Sequence, residues 1–392
     1  MGSFVIENVR AVASDRVIPD AAVAVEDGLI AGVGKTGELR ADRTVDGEGL
    51  YLSPGFIDVH LHGGGGADFM DADPASVRTA LSAHMAHGTT TAVPTTLCAE
   101  DEELSAVFDS VTEFRRSEDA ARLPRVPGVH LEGPFISPAQ AGAQDPKYIK
   151  TPSPAAWRDV LRRAHGELLI WTVAPELEGA AAMCCELSGE GIVFSAGHSD
   201  ATFDEAAAAY DAGYTMATHL YSSMSTIVRV RGERVPGLLE ASLLRDDVVC
   251  EVIADGRHLP ISLLRLIMKT KGPDRVVLVT DAMRGAGMPD GEYILGSRKR
   301  GQRVLVFDGI AHMPDGISFA GSVATADRLV RVMTKDAGVP LHDAVRMMTK
   351  NPASAIGLAD RGTLEAGKLA DLVLFDGDVN VKSVYIGGEK TV

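Results

Sequence analysis

The sequence predicts an α/β protein: a (β/α)8 barrel of the TIM type, carrying a small β-sandwich formed from both chain termini. Three observations predict it. Short apolar runs alternate with helical stretches through the middle of the chain, the pattern of βα units around a parallel sheet. Eight such runs occur over about 300 residues, the number that a barrel of typically about 250 residues requires. Both ends read instead as short strands separated by turns, which suggests that they pair with each other. At 392 residues the chain has room for a barrel and an attachment, given roughly 150 residues for an ordinary domain. The expected division is residues 1–53 plus 363–392 for the small domain and 54–362 for the barrel.

Taken in order, Phe4–Val9, Ala22–Glu26 and Leu29–Val33 are the first expected strands. Asp27-Gly28 joins the last two, and such a dipeptide turns a hairpin because it accepts positive φ at both positions. The eight central runs are Gly55–His62, Thr89–Thr96, Val126–Glu132, Leu168–Pro175, Gly191–His198, Tyr214–Leu220, Val248–Asp255 and Val276–Asp281. Helices are expected over Pro74–His87, Glu102–Arg115, Ala155–Arg163 and Asp204–Ala212. Glu292–Ala320 reads as a hairpin insertion, followed by helices at Ser322–Ala337 and Leu341–Thr349. Leu372–Phe375 and Val384–Ile386 return as strands, with turns at Gly362, Gly367 and Gly387-Gly388. Gly63-Gly64-Gly65-Gly66 lacks the G-x-G-x-x-G spacing of a dinucleotide loop and reads as a flexible connection.

Composition narrows the function. Hydrophobic residues are 45% and charged residues 23%, ordinary for a globular chain. With 38 basic against 54 acidic residues the net charge is −16, which works against nucleic acid and anionic membrane surfaces. No apolar run approaches the about 18 residues of a membrane span. Met1–Arg10 alternates like a strand and lacks the apolar core of a signal peptide. Cys98, Cys184, Cys185 and Cys250 show no metal or redox spacing. The expectation is a cytoplasmic protein with reduced thiols and no nucleic-acid or membrane partner.

The chemistry lies at the C-terminal ends of the central strands, the edge where barrel enzymes hold their active sites. Strand one ends His60-Leu61-His62, and residues two apart on a strand point the same way. Strand three ends His130-Leu131-Glu132, strand five Gly197-His198, strand six Thr218-His219 and strand eight Thr280-Asp281. Singly, each has an ordinary reading: a lone strand-end acid caps a helix or shapes a turn, and Asp281 could be an N-cap. Together, His60, His62, His198 and His219 with Glu132 and Asp281 are the donor types that zinc-like ions select. His84, His87, His165, His312 and His342 fall in helices or loops and receive no role.

These motifs resemble the amidohydrolase superfamily and, within it, the N-acetylglucosamine-6-phosphate deacetylases. The matching blocks are Pro54-Gly55-Phe56-Ile57-Asp58-Val59-His60-Leu61-His62, His130-Leu131-Glu132-Gly133-Pro134, Ala174-Pro175-Glu176, Ser195-Ala196-Gly197-His198 and Thr218-His219-Leu220-Tyr221. Ile253-Ala254-Asp255-Gly256 with His258, Val279-Thr280-Asp281-Ala282 and Gly367-Lys368-Leu369-Ala370-Asp371 continue the match over essentially the whole chain. The resemblance implies that Glu132, His198 and His219 hold one divalent metal. His60 and His62 would hold a second, with Glu132 bridging. Two ions per subunit are expected, zinc first, with iron, manganese and cobalt also compatible. Asp281 is implied as metal ligand and as the catalytic acid–base group in hydrolysis of an N-acetyl group. The resemblance also implies a homodimer in which an Arg and a His reach into the neighbour's site, roles that fall on Arg234 and His258.

The chain departs from the family pattern at three places. Ser222-Ser223 stands where Asn-Ala is usual, and Gln144 where a histidine is usual; both remain expected substrate contacts, with Arg234 and His258. The segment before Arg234 is lengthened and contains Arg229 and Arg231, which with Arg257 make a basic patch suited to an anionic group. The substrate reading is N-acetylglucosamine 6-phosphate. The alternatives are another N-acetyl amino sugar, phosphorylated or not, an N-acyl D-amino acid, or a non-catalytic scaffold of the same fold.

Overall fold

The computed structural model describes residues 2–316 and 318–392. Met1 and Ile317, which fall in the expected N-terminal strand and hairpin insertion, lie outside the described residues. Local sequence sets the helix starts. Asp73 and Ser153 each precede a proline in the first helical turn, and their side chains accept the Ser76 and Ala156 amides. Thr202 and Glu205 close a reciprocal capping box. The helices so begun run Pro74–Met85, Pro154–Ala164 and Phe203–Ala212, and Asp101–Arg116 forms a fourth.

Each of the eight central runs carries a strand: Phe56–Leu61, Thr89–Pro94, Val129–Glu132, Leu168–Val173, Val193–Ala196, Met216–Ala217, Val249–Val252 and Val276–Leu278. The third to the eighth form one parallel sheet in chain order, and the first pairs in parallel with the second. Isolated parallel bridges, Thr95–His130 and Leu61–Ala282, connect the second strand to the third and the first to the eighth. At that last junction the Asp281 amide donates to the His60 carbonyl and the His62 amide to the Ala282 carbonyl, both at 2.8 Å. The architecture is of the TIM-barrel type, with all strand C-termini at one edge. Ile57, Val59, Val93, Ile170, Met216, Val277 and Val279 form an apolar cluster on one face of these strands, while other side chains pack on the helices. Burial on both faces is why the strands read as unbroken apolar runs.

The two chain ends meet in one eight-stranded mixed sheet, where Leu372–Phe375 pairs antiparallel with Tyr51–Pro54. Asp27 and Gly28 turn at φ 48° and 81°, joining Glu26 to Leu29 as the hairpin rule requires. The insertion is a three-stranded antiparallel sheet, Gly291–Leu295, Gln302–Phe307 and Ile310–His312. The helix expected from Ser322 starts only at Ala326, because Ser322 gives its amide to Asp281 and its hydroxyl to Thr280. The helix expected over Leu341–Thr349 ends at Met347, and Lys350–Ala355 forms another. Among the described residues no helix is long and apolar enough to cross a membrane.

Candidate active site

The strand ends bring six expected residues together, and five of them, His62, Glu132, His198, His219 and Asp281, line one cavity. Glu132 is the hub: its Oε1 lies 3.0 Å from Nε2 of His198 and of His219, and those two nitrogens are 3.1 Å apart. His60 Nε2 is 3.5 Å from the same oxygen, and His62 Nε2 is 3.5 Å from Glu132 Oε2. Asp281 Oδ1 completes the group, 3.1 Å from His62 Nε2 and 3.7 Å from His60 Nε2. His60, His62 and Asp281 could hold a metal ion, as could His60, Glu132 and His219. All six residues are buried.

The imidazoles are fixed from behind. His198 Nδ1 donates to the Gln140 carbonyl at 2.8 Å and His62 Nδ1 to the Thr95 carbonyl at 3.2 Å. His60 Nδ1 lies 2.9 Å from Glu251 Oε2. A carbonyl or carboxylate at Nδ1 orients each ring, so each Nε2 faces the centre. His130 behaves differently: both its nitrogens are bonded away from the cluster, to Val59 O and Thr172 Oγ1, and burial brings it down to about 3.

Charge in the cluster is strongly perturbed. Burial raises the Glu132 carboxyl, but the His198 and His60 imidazoles outweigh it and hold the group well below its ordinary value. Asp281 is likewise raised by burial and more strongly lowered, by the hydrogen bond from His62 and the charge of His60, to about 2. His60 is depressed by burial yet pushed up to about 10 by Glu132, Glu251 and Asp281 around it. The backbone is strained at the same places. His198, His219, Ser223 and Asp281 have φ of 47°, 25°, 46° and 48°, conformations that cost about 1–3 kcal/mol for residues with a Cβ and persist where neighbours over-determine them. Gly321 is required beside Asp281, since a Cβ there would lie 2.7 Å from the Asp281 carbonyl.

The cavity has a volume of about 220 Å³, and Gln144, Ser222, Ser223 and His258 line it with the cluster. Gln144 also clamps the hub, because its amide donates to Glu132 Oε2 at 2.7 Å while its oxygen accepts the Cys98 amide at 2.7 Å. His258 is oriented by Asp255 at 2.9 Å, and its ring meets Phe319 edge-on at 5.0 Å. Arg234 is not brought to the cavity. It sits on the exposed hairpin Val228–Val230/Glu233–Val235 with Arg229 and Arg231, beside exposed Ile227, Val228 and Val230.

Sequence reasoning missed three groups. Glu251 is fully buried behind His60, and its signal is an acid inside an otherwise apolar strand run. Asp58 accepts the Thr280 hydroxyl at 2.5 Å across the junction of the first and eighth strands. Phe319 lines the cavity from the insertion; a sequence pattern does not show which turn an insertion folds over.

Six histidine and carboxylate side chains on a strand-end edge of a TIM-barrel-type fold define a hydrolase-like metal-binding architecture. Residues 51–391 match the amidohydrolase family, and the chain belongs to that family. It is 34% identical over 375 residues to an N-acetylglucosamine-6-phosphate deacetylase of Lysinibacillus sphaericus, covering 95% of this chain and 94% of that one. It is 31% identical over 374 residues to an N-acetylgalactosamine-6-phosphate deacetylase of Escherichia coli O157:H7, covering 95% of each. The solved structure of a mutant N-acetyl-D-glucosamine-6-phosphate deacetylase from Mycobacterium smegmatis in complex with N-acetyl-D-glucosamine-6-phosphate superposes with a TM-score of 0.91, at 34% identity and 100% coverage of both chains.

Proposed function

We propose that the protein removes the acetyl group of N-acetylglucosamine 6-phosphate, giving acetate and glucosamine 6-phosphate, with divalent metal held by the strand-end cluster. The observation that carries this is the inward convergence of Nε2 atoms on Glu132 and Asp281, with Nδ1 of His60, His62 and His198 each held by an oxygen. His60 Nε2 is buried without a hydrogen-bond partner among the described residues, which fits a metal ligand. Glu132, His198 and His219 would hold one ion, and His60 with His62 a second, with Glu132 within reach of both groups. Such an ion supplies Lewis acidity, which acidifies water and polarises an amide carbonyl. Asp281, ionised and in contact with His62, takes the proton of the attacking water and passes it to the departing nitrogen as the C–N bond breaks. Ser222, Ser223 and His258 bind the sugar from the cavity wall, and Gln144 keeps Glu132 in place.

Two further features belong to this reading. The parallel strands close as a barrel over residues 54–362, and the terminal sheet folds as a sandwich over 1–53 plus 363–392; the two bridges and the paired chain ends support this. A homodimer, supported by the exposed apolar hairpin, brings Arg234 of one copy to the phosphate bound by the other. The galactosamine epimer is a second reading, because relatives of similar identity are named for it and the Ser222-Ser223 segment departs from the usual pattern. The test is acetate release from both 6-phosphates and from the neutral sugars, before and after chelation. Activity should vanish with the metal and return with zinc; full activity in metal-free protein would overturn the proposal.

A further inference from the structure

Glu251 stands out among the groups that the proposed reaction leaves without work. It is fully buried in the seventh central strand, and one of its oxygens lies 2.9 Å from His60 Nδ1. The same oxygen accepts the His219 amide at 3.2 Å, and its carbonyl accepts the Leu220 amide at 2.8 Å. Its other oxygen, Oε1, has no hydrogen-bond partner among the described residues. His62 and His198 are backed by neutral carbonyls, whereas His60 alone among these three is backed by a carboxylate. Burying a carboxylate is costly unless positive charge compensates it. The His60 ring lies between Glu251 and the centre of the cluster, with Nδ1 on Glu251 and Nε2 facing Glu132, so a cation held at Nε2 would face the Glu251 carboxylate across the ring.

We propose that Glu251 is a positioning residue for the ion held by His60 and His62, orienting the His60 ring and supplying the negative charge that lets a second cation enter beside the first. The proposal rests on the two-ion reading above. It assigns Glu251 to one ion only: the other would be held by Glu132, His198 and His219, of which Glu251 touches only the His219 backbone amide.

The test strips the protein with a chelator, adds back zinc, and measures bound metal per chain and the affinity of each ion by competition, for the parent, Glu251→Gln and Glu251→Ala. The parent should take two ions. Each variant should hold one at parental affinity and the other about 10–100-fold more weakly, with Glu251→Ala the more affected. Glu251→Gln preserves volume and reads the same quantity if the alanine variant does not fold. Unchanged affinity for both ions in Glu251→Ala overturns the proposal. So does equal weakening of both ions with a fall in the melting temperature of the metal-free protein, which is the mark of a packing role. A parent that takes only one ion defeats the two-ion reading itself, and this proposal with it.

Discussion

At the scale of single residues, the site separates groups that are ionised from groups that are kept neutral. Asp281, held at about 2 by His62 and His60 against its burial, carries no proton near neutrality and can accept one. Asp281→Asn keeps the shape and removes the acceptor, so kcat for acetate release should fall about 100-fold or more, with sugar binding retained by calorimetry. His84 is the opposite case. Burial lowers it to about 4, and its Nε2 donates to the Gly63 carbonyl in the loop after His62. Because its folded pKa lies below the unfolded 6.5, its share of stability is present above pH 6.5 and is lost as pH falls towards 4. By pH 5 about 2 kcal/mol of that share is lost. Asp58, raised by burial to about 7, works in the opposite sense over the same range, so the difference between parent and variant is the quantity to read. His84→Gln should remove about 2 kcal/mol of the loss between pH 7 and pH 5 in urea unfolding. The six cluster residues were legible in the sequence because their types and strand-end spacing recur together. Glu251 and the clamp from Gln144 to Glu132 were not, because a residue that acts through another carries no pattern of its own.

At the scale of elements, strands buried on both faces announced themselves as apolar runs, and proline after a capping residue marked two of the helix starts. What stayed hidden was tertiary. Ser322 is lost to its helix by bridging to the eighth strand, and Arg234 stands on an exposed hairpin and does not line the cavity. That hairpin makes a prediction about phosphate. Two charge-assisted contacts, from Arg234 and His258, at about 1.5–3 kcal/mol each, would favour the 6-phosphate over the neutral sugar by at least about 100-fold in kcat/KM. Arg234→Ala should erase most of that preference and leave the slow hydrolysis of N-acetylglucosamine little changed. Equal loss on both sugars would place Arg234 in folding or assembly and not in phosphate binding.

At the scale of the whole molecule, the proposed dimer predicts that Arg234, which does not line its own cavity, serves the site of the other copy. Mixing Asp281→Asn with Arg234→Ala chains and allowing exchange creates hybrids in which one site has both groups intact. For a two-fold dimer at equal mixing, half the dimers are hybrids with one working site each, so about a quarter of parental activity on the 6-phosphate should return. No recovery in a mixture shown to exchange would assign Arg234 to its own chain. The junction of the first and eighth strands has a consequence of its own. Asp58 and Thr280, hydrogen-bonded across it, are 222 residues apart in the chain, and His60 and His62 stand on one side with Asp281 on the other. An ion gripped from both sides would therefore work as a removable clasp on this long closure, and the amides of His62 and Asp281 should exchange with deuterium faster once it is withdrawn. Opening would then start at the centre of the molecule and not at its rim.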